Sequence, residues 1–543
     1  MNIMEMKRLL IFFTCLLLIL SVLSCTKNGA SATKQDGNLP SKLSIIPLPE
    51  IINYSEKVIE LPSKITISSS FDDTMQELLK KTFNSVLSLS TDVQDNASSY
   101  ISVKEDASLG KEEYLLEITD KGIIIYYSAK EGLIWGVQSL RQILEQTNFY
   151  NSDSKKYALI VSVKDKPKYA WRGFHIDLAR HMFTLNFLKK TIDYLSLYKI
   201  NKLHLHLTDD QGWRIEIKKY SKLTEIGAWR KFDRYDKECL ERAKTDNSFD
   251  IDKRFIRNGD EYGGFYTQNE MKELVDYARK RGIDIIPEID MPGHMTAAIR
   301  AYNDMSCTGN IGWGDEFSDP LCSGKEKNYT MIKEIIDELY NVFPSDCFHM
   351  GADEVSVEKW EKCEKCQKVM KEKNFTDISQ LKSYFVDNIS SYLKQKGKKV
   401  LVWDDAFDES LPKDITYFFW RDWVKDNPGI ITQSGAKMIF MDWESFYLSA
   451  DVSDKSISTL YNYNINSRYL NVVETNLLGY QACVFTEHIP NEIIFEEHVY
   501  PSLQAFSEVA WGSKRDYSHF ANRMKWHIDM MTKNNIHYTK CSF

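Results

Sequence analysis

Acidic and tryptophan side chains recur in this sequence directly after short apolar segments. Asp209 follows one such segment, and Asp353 and Glu354 follow another further along the chain. Trp403 and Trp420 hold the same position relative to two more segments. Carboxylates transfer protons in general acid–base chemistry, and tryptophan faces pack against the apolar faces of sugar rings. Brought together, these side chains predict a site that processes glycans.

The apolar segments alternate with helical patterns from residue 170 onward. They span residues 174–176, 202–207, 283–286, 347–350, 400–402, 416–419, 437–441 and 481–485. Helices are predicted between them, among others at 185–198, 268–281 and 331–340. Eight strands alternating with helices predict an α/β fold, a (β/α)8 TIM barrel. In such barrels the active site lies at the carboxyl ends of the strands.

A small α/β (α+β) domain is predicted before the barrel, at residues 43–165, with the barrel itself at 166–543. Apolar residues alternate over 114–118, a turn follows at 120–122, and 123–127 returns as a second strand. An apolar stripe from Leu133 to Leu144 then predicts a helix. This region shows no catalytic pattern, so we expect an accessory role for it.

Composition and motifs argue against several other functions. The 543 residues carry a formal net charge of −8, and no long basic run interrupts them. A nucleic-acid partner is therefore not expected. The sequence has no P-loop, no G-x-S-x-G nucleophile motif and no dinucleotide-binding glycine motif in a suitable context. We therefore expect no cofactor.

The first residues have the pattern of a bacterial lipoprotein signal. Lys7 and Arg8 precede an apolar run over 9–22, which is short for a membrane span, and Leu-Ser-Cys25 follows directly after it. The pattern predicts a signal peptide at 1–24, a lipidated Cys25 and a flexible tether at 25–42. The expected location is extracytoplasmic, anchored to the membrane, in the periplasm or at the cell surface. The alternative is cleavage nearby, with Cys25 incidental.

Eight cysteines remain beyond this predicted leader and its lipidated cysteine. Cys363 and Cys366 form a Cys-x-x-Cys pair, which is half of a common zinc site. Because no second Cys-x-x-Cys or His-x-x-x-His pair follows, we expect no metal and favour a local disulfide or free thiols. Cys307 and Cys322 flank a glycine-containing loop and are a further candidate pair for a disulfide.

Serial motifs at the predicted strand ends resemble those of glycoside hydrolase family 20, the β-N-acetylhexosaminidases. In chain order they are Asp177-Leu-Ala-Arg180-His181, His204-Leu-His206-Leu-Thr-Asp209-Asp210-Gln-Gly-Trp213, Pro287-Glu288-Ile-Asp290-Met-Pro-Gly-His294 and His349-Met-Gly-Ala-Asp353-Glu354. The region around 132–144 is similar to the N-terminal domain of that family. The resemblance implies a retaining hydrolase in which the substrate's own 2-acetamido group is the nucleophile.

The same resemblance assigns catalytic roles. Glu354 becomes the general acid/base, and Asp353 holds the acetamido N–H. Tyr447 donates to the acetamide carbonyl, while Asp209 and His294 polarise Glu354. The alternatives are a helix cap for the Asp-Glu pair, an ordinary barrel tyrosine and a structural histidine. Adjacent residues on a regular strand point to opposite faces, so the chain must turn before Asp353 and Glu354 serve one substrate.

Substrate-binding roles follow for a second set of side chains. Arg180 is expected to bind sugar hydroxyls, with a structural ion pair as the alternative. Trp403 and Trp420 are expected to wall the acetamide pocket, with core packing as the alternative.

Two positions depart from the family pattern. Ser449 stands where the family commonly has Asp, and Phe485 stands where it commonly has Trp, whereas Glu487 is kept. Two like charges about 4 Å apart cost about 4 kcal/mol at an effective dielectric constant of 20. In the family that Asp helps to bind the hydroxyls at O4 and O6 of the terminal sugar, so the resemblance implies that it would repel an anionic group on O6. Serine at position 449 therefore predicts tolerance of 6-O-sulfated N-acetylglucosamine, the alternative being drift without functional change.

Other functions remain open at this stage. Within the family, the chain is alternatively a lacto-N-biosidase or an enzyme that prefers N-acetylgalactosamine, and an insertion at about 231–261 is a candidate modifier of specificity. Outside catalysis, the alternative is a glycan-binding lipoprotein without activity.

Overall fold

The computed structural model describes residues 43–151, 154–312 and 317–543. The predicted signal peptide, the tether and Cys25 lie outside the described residues. Within the described ranges, no helix combines the length and the apolar character needed to cross a membrane.

The N-terminal domain is built on one mixed sheet of seven strands. The strands are Ile51–Glu60, Lys64–Ser68, Ser90–Gln94, Ile101–Glu105, Tyr114–Thr119, Gly122–Tyr127 and Tyr157–Asp165. Their spatial order is first, seventh, fifth, sixth, fourth, second, third. The predicted hairpin is present, because Tyr114–Thr119 pairs antiparallel with Gly122–Tyr127 across a tight turn.

The helix Lys130–Asn148 joins this sheet to the barrel, and a second helix, Asp73–Lys81, completes the domain. The predicted apolar stripe, Leu133 to Leu144, is buried. On the barrel side, Gln138 donates to Ser196 Oγ at 2.8 Å. Because the helix packs on both sides, it is buried along almost its whole length.

The second domain is the predicted closed barrel of eight parallel strands. The strands are Trp171–Asp177, Lys202–His206, Asp284–Glu288, Cys347–His349, Lys399–Trp403, Thr416–Phe419, Lys437–Phe440 and Leu477–Val484. The last strand pairs with the first and closes the barrel. The fold class predicted from the alternating segments is thus confirmed.

Helices surround the barrel. The longer ones are Leu185–Leu197, Gln268–Arg279, Glu326–Tyr340, Gln380–Gln395, Ser502–Trp511 and Tyr517–Lys533. Shorter ones include Arg234–Ala243, Thr296–Ala301, Glu364–Glu372, Asn427–Gln433, Trp443–Phe446, Asp454–Tyr461 and Glu492–Val499. Local sequence sets their starts. Thr267 and Glu270, for example, form a capping box in which Thr267 Oγ accepts from Glu270 N at 3.2 Å.

The segment flagged as a possible insertion forms a small substructure beside the barrel mouth. Its strands Trp229–Lys231, Ile256–Arg257 and Glu261–Gly263 make one sheet. The substructure reaches the barrel through Asp236, whose carboxylate lies 3.2 Å from His181 Nε2.

Candidate active site

The Asp353–Glu354 pair lies where the chain turns sharply after the fourth barrel strand. The strand ends at His349, and Gly351, Ala352 and Glu354 then have φ values of 70°, 74° and 47°. These are left-handed backbone conformations, which break the alternation of a strand. The turn demanded by the sequence argument is therefore present, and both carboxylates line the same cavity.

Glycine is required within this turn. A Cβ atom on Gly351 would overlap the carboxylate of Asp290, which also accepts the N–H of Ala352 at 3.2 Å. Asp290 therefore fixes the backbone that presents the pair. It belongs to a motif quoted above, but the sequence assigned it no role.

All eleven side chains predicted to form the site line one cavity of about 480 Å³ at the carboxyl ends of the strands. They are Arg180, Asp209, His294, Asp353, Glu354, Trp403, Trp420, Tyr447, Ser449, Phe485 and Glu487. His206, Trp443, Glu444 and Ala450 also line it. A larger cavity of about 910 Å³ lies beside it, but that cavity lacks the Asp-Glu pair and the tryptophans of the barrel mouth.

His294 connects carboxylates on two sides of the cavity. Its Nε2 lies 3.3 Å from Glu354 Oε2, and its Nδ1 lies 3.3 Å from both Asp209 Oδ1 and Asp210 Oδ2. Burial lowers the pKa of His294, but the charge and hydrogen bond of Asp209 outweigh that effect and hold the pKa well above its usual value. The geometry predicted for an Asp209–His294–Glu354 relay is therefore present.

The carboxylate of Asp353 has an unused hydrogen-bond acceptor. Its Oδ1 is buried and has no hydrogen-bond partner in the described part of the chain. Burial raises the pKa of Asp353 to about 7; the charge of His294 opposes this rise, while Asp405 and Glu354 add to it. Orphaned buried acceptors are costly and rare in folded proteins. This one faces a cavity that can admit an N–H donor.

Aromatic rings form walls of the cavity, and the indole N–H groups of two tryptophans are hydrogen-bonded. Trp403 Nε1 donates to Glu288 Oε1 at 2.8 Å, and Trp420 Nε1 donates to Asp405 Oδ2 at 2.6 Å. These bonds fix the orientation of the indole faces. Trp403 is almost fully buried, so it serves both the core and the cavity.

Tyr447 follows the short helix Trp443–Phe446 and pairs with the last barrel strand through a bridge to Cys483. Its ring stacks on Phe485, with centroids 5.4 Å apart and planes at 25°. Burial raises the pKa of Tyr447 well above its usual value. The phenol therefore stays protonated and can donate a hydrogen bond.

Arg180 makes the ion pairs that were the alternative to substrate binding. Its guanidinium lies 2.8 Å from Asp209 Oδ2, 3.3 Å from Asp177 Oδ2 and 3.8 Å from Glu487 Oε1. It lines the cavity as well. These contacts fix its position without removing it from reach of a ligand.

The two departures from the family pattern lie side by side. Ser449 Oγ accepts the N–H of Phe485 at 3.1 Å. Phe485 packs on the imidazole of His175, with centroids 4.7 Å apart. Burial raises the pKa of the adjacent Glu487, against the opposing charge of Arg180. Ser449 therefore adds no charge to this side of the cavity, and Glu487 is paired with Arg180.

A buried carboxylate beneath the cavity ties the strand ends together. Glu288 Oε2 lies 2.6 Å from His206 Nδ1 and 3.0 Å from His204 Nε2, while its Oε1 lies 3.1 Å from His349 Nδ1. His206 also contacts Asp209 through Nε2 at 2.9 Å. Three imidazoles thus pack around one carboxylate, and His206 in addition reaches the cavity.

The fold and the cavity together define a barrel glycosidase. The model of the catalytic domain of glycosyl hydrolase family 20 matches residues 169–514, and the model of domain 2 of that family matches residues 42–163. The chain belongs to glycosyl hydrolase family 20 and is a β-N-acetylhexosaminidase.

Individual relatives agree with this assignment. A β-hexosaminidase of Porphyromonas gingivalis is 30% identical, over 96% of this chain and 67% of its own length. The structure of an exo-β-N-acetylglucosaminidase from Vibrio harveyi, in complex with N-acetylglucosamine, has a TM-score of 0.80 at 25% identity and covers 94% of this chain and 81% of its own. A β-N-acetylhexosaminidase structure from Bacteroides fragilis has a TM-score of 0.76 at 27% identity, over 92% and 97%.

Proposed function

We propose that the enzyme is an exo-acting, retaining β-N-acetylhexosaminidase that releases terminal β-linked N-acetylglucosamine by substrate-assisted catalysis. The observation that carries the proposal is the unpartnered Oδ1 of Asp353, buried directly beside Glu354. A carboxylate in this position can accept the acetamido N–H and align the acetamide with the anomeric carbon.

Each protein group has one task in the proposed first step. The acetamide oxygen attacks the anomeric carbon while Glu354 gives its proton to the departing glycosidic oxygen. Asp353 accepts the N–H, whose positive charge grows as the oxazolinium ring forms, and Tyr447 donates to the acetamide oxygen before attack. His294, held by Asp209, steadies the carboxyl of Glu354.

The second step reverses the role of the acid. The carboxylate of Glu354 takes a proton from water, the water oxygen bonds to the anomeric carbon, and the bond from that carbon to the acetamide oxygen breaks. Two inversions at one carbon retain its configuration. The non-catalytic alternative is disfavoured because every group needed for both steps lines one cavity.

Substrates whose acetamide carries one, two or three fluorines test this mechanism. Fluorine weakens the acetamide oxygen as a nucleophile, so kcat on the 4-nitrophenyl glycosides should fall steeply along the series. A thiazoline analogue of the intermediate should inhibit tightly, because the site stabilises the species it mimics. A kcat that does not depend on fluorination, or full turnover by Glu354→Gln, would contradict the proposal.

We further propose that the enzyme accepts 6-O-sulfated N-acetylglucosamine. Ser449 supports this, because it brings a neutral hydroxyl to the cavity where the family commonly has a carboxylate. Glu487, which lines the same cavity, is paired with Arg180 at 3.8 Å. A disaccharide-releasing or N-acetylgalactosamine-preferring activity is an alternative outcome of substrate profiling.

The test compares kcat/KM on 4-nitrophenyl N-acetylglucosaminide and its 6-sulfate. Ser449→Asp should lower kcat/KM on the sulfated compound about tenfold or more relative to the unsulfated one, because it restores charge repulsion. Ser449→Asn is the neutral control of matched size and should leave the ratio nearly unchanged. A wild-type enzyme that strongly prefers the unsulfated compound would rule out the sulfate proposal.

We also propose that the mature protein is a lipoprotein anchored outside the cytoplasm through Cys25. The proposal is supported by the sequence pattern over residues 7–25. Cys25→Ser should abolish incorporation of labelled fatty acid and move the enzyme out of the membrane fraction. A wild-type protein that takes up no fatty acid would contradict it.

A further inference from the structure

Four cysteines from two loops converge outside the active-site cavity. Cys307 and Cys322 lie in the loop after the third barrel strand, and Cys363 and Cys366 lie in the loop after the fourth. Their four sulfur atoms all lie within 4.8 Å of one another. The contacts Cys322–Cys366, Cys322–Cys363 and Cys307–Cys366 measure 3.6, 3.7 and 3.8 Å between Sγ atoms.

We propose that these four thiolates bind one structural Zn²⁺ ion. Zinc–thiolate bonds are about 2.3 Å long, so two sulfurs of a tetrahedral site lie about 3.8 Å apart. The Sγ separations in the cluster are close to this edge length. An all-sulfur tetrahedral set favours zinc or iron over harder ions, and a closed set of four protein ligands is typical of structural zinc.

The surroundings of the sulfurs suit thiolates. Cys363 caps the helix Glu364–Glu372, and Cys366 lies in its first turn, where the partial positive charge of the helix end stabilises anions. The N–H of Gly324 donates to Cys322. A Cβ atom on Gly324 would collide with the backbone of Lys365 and Cys366, so the two loops approach as closely as glycine allows.

The cluster lies in a small apolar core of its own. Cys322 and Cys366 are fully buried there together with Trp360 and Leu381, apart from the main barrel core. A core of this size contributes little stability by itself, and small cores are commonly reinforced by metals or disulfides. A zinc ion would supply that reinforcement.

Disulfides fit the arrangement less well. Cys322 is nearly equidistant from Cys363 and Cys366, and no S–S bond is present among the cysteines of the described residues. A disulfide brings two sulfurs to about 2.05 Å, so disulfides would divide the four cysteines into two separate pairs. The sequence argument against metal relied on the lack of a second Cys-x-x-Cys. That pattern would not detect the proposed site, because the second pair of cysteines is widely spaced along its loop.

The zinc site would hold two catalytic loops together. Leu321, next to the ligand Cys322, donates its N–H to Pro292 O at 2.9 Å, close to His294. Val355, directly after Glu354, packs against the cysteine cluster. The ion therefore acts as a positioning element for the His294–Glu354 contact and takes no part in the reaction itself.

Metal analysis of the purified full-length protein tests the proposal. Mass-spectrometric elemental analysis should find about one zinc per chain in wild-type protein purified without chelators. Cys307→Ser and Cys363→Ser should each lose most of this zinc, and Cys541→Ser, a cysteine outside the cluster, should retain it. Zinc that persists in the cluster variants, or iron in place of zinc, would overturn the assignment.

Three measurements on the wild-type protein keep the test decisive if the variants misfold. Titrating the thiols with an organomercurial should release zinc to a chromogenic chelator in step with thiol modification. Protein produced with Co²⁺ should show thiolate charge-transfer bands and the intense visible bands of tetrahedral cobalt. Intact mass under non-reducing, denaturing conditions should show free thiols, whereas a mass lowered by two disulfides would contradict the proposal.

Discussion

Two aspartates at opposite ends of the barrel, the buried Asp165 and the half-buried Asp353, differ in how their carboxylates are hydrogen-bonded. Asp165 lies at the domain interface and is fully engaged: its Oδ2 accepts from Lys199 Nζ at 2.7 Å and from Tyr114 OH at 3.1 Å, and its Oδ1 accepts from Trp511 Nε1 at 3.0 Å. Asp353, at the other end, has an oxygen with no partner in the described ranges.

On the proposed mechanism, the difference separates a structural carboxylate from a functional one. Saturated hydrogen bonding and a close ammonium offset the cost of burying Asp165, and the cluster joins the N-terminal sheet to the barrel. Asp353 lacks such compensation, and its pKa of about 7 shows how poorly the site accommodates its charge before a ligand enters. Strain of this kind persists where it serves binding or catalysis.

The largest expected effect comes from removing the charge at the functional end. Asp353→Asn should lower kcat/KM on 4-nitrophenyl N-acetylglucosaminide on the order of 10²–10³-fold, because the oxazolinium N–H loses its anionic acceptor. Asp165→Asn, assayed where it is folded, should stay within a few-fold of wild type. Equal losses of kcat/KM in the two variants would contradict the distinction between the two aspartates.

The second effect is on the stability of the protein and comes from Asp165. Asp165→Asn leaves the buried Lys199 ammonium without its counter-ion, so the free energy of unfolding should drop by about 3–5 kcal/mol in urea denaturation. Asp92→Asn removes an exposed partner of Lys64 and is the control, expected to change little. If Asp165→Asn lowered the free energy of unfolding no more than Asp92→Asn, the result would argue against a structural role for Asp165.

The smallest effect is a pH dependence of stability due to Asp353. Its folded pKa is raised above the unfolded value, so its contribution is fully present below about pH 4 and is lost as pH rises through about 7. Asp353→Asn should therefore stabilise the protein at pH 8, on the order of 1–2 kcal/mol, and much less at pH 4.5. Identical unfolding free energies for the two proteins across this range would remove the argument from strain.

Local pattern predicted most of the architecture. The strand predicted at 416–419 coincides with Thr416–Phe419, and most other barrel strands differ by a few residues. The last strand departs most: predicted at 481–485, it runs over Leu477–Val484. Gly479, at φ 150°, breaks the apolar pattern that marks a strand, and Phe485 leaves the sheet to pack on Tyr447 and His175.

Residues whose roles depend on distant partners escaped the sequence argument. Asp290 and Asp405 follow strands like the assigned acids do, yet only the structure shows that one fixes the turn of the Asp-Glu pair and the other holds Trp420. Trp443 and Glu444 also reach the cavity, from a short helix that directly follows the seventh barrel strand.

The sequence by itself determined the barrel, the family and the set of side chains at the catalytic mouth, because period, strand ends and serial motifs are local properties of the chain. Which of those groups have hydrogen-bond partners depends on the tertiary structure, because the partners come from strands that are remote in the sequence. The clustering of the cysteines likewise depends on the tertiary structure. Cys307 and Cys322 meet Cys363 and Cys366 only because neighbouring barrel strands bring their loops together.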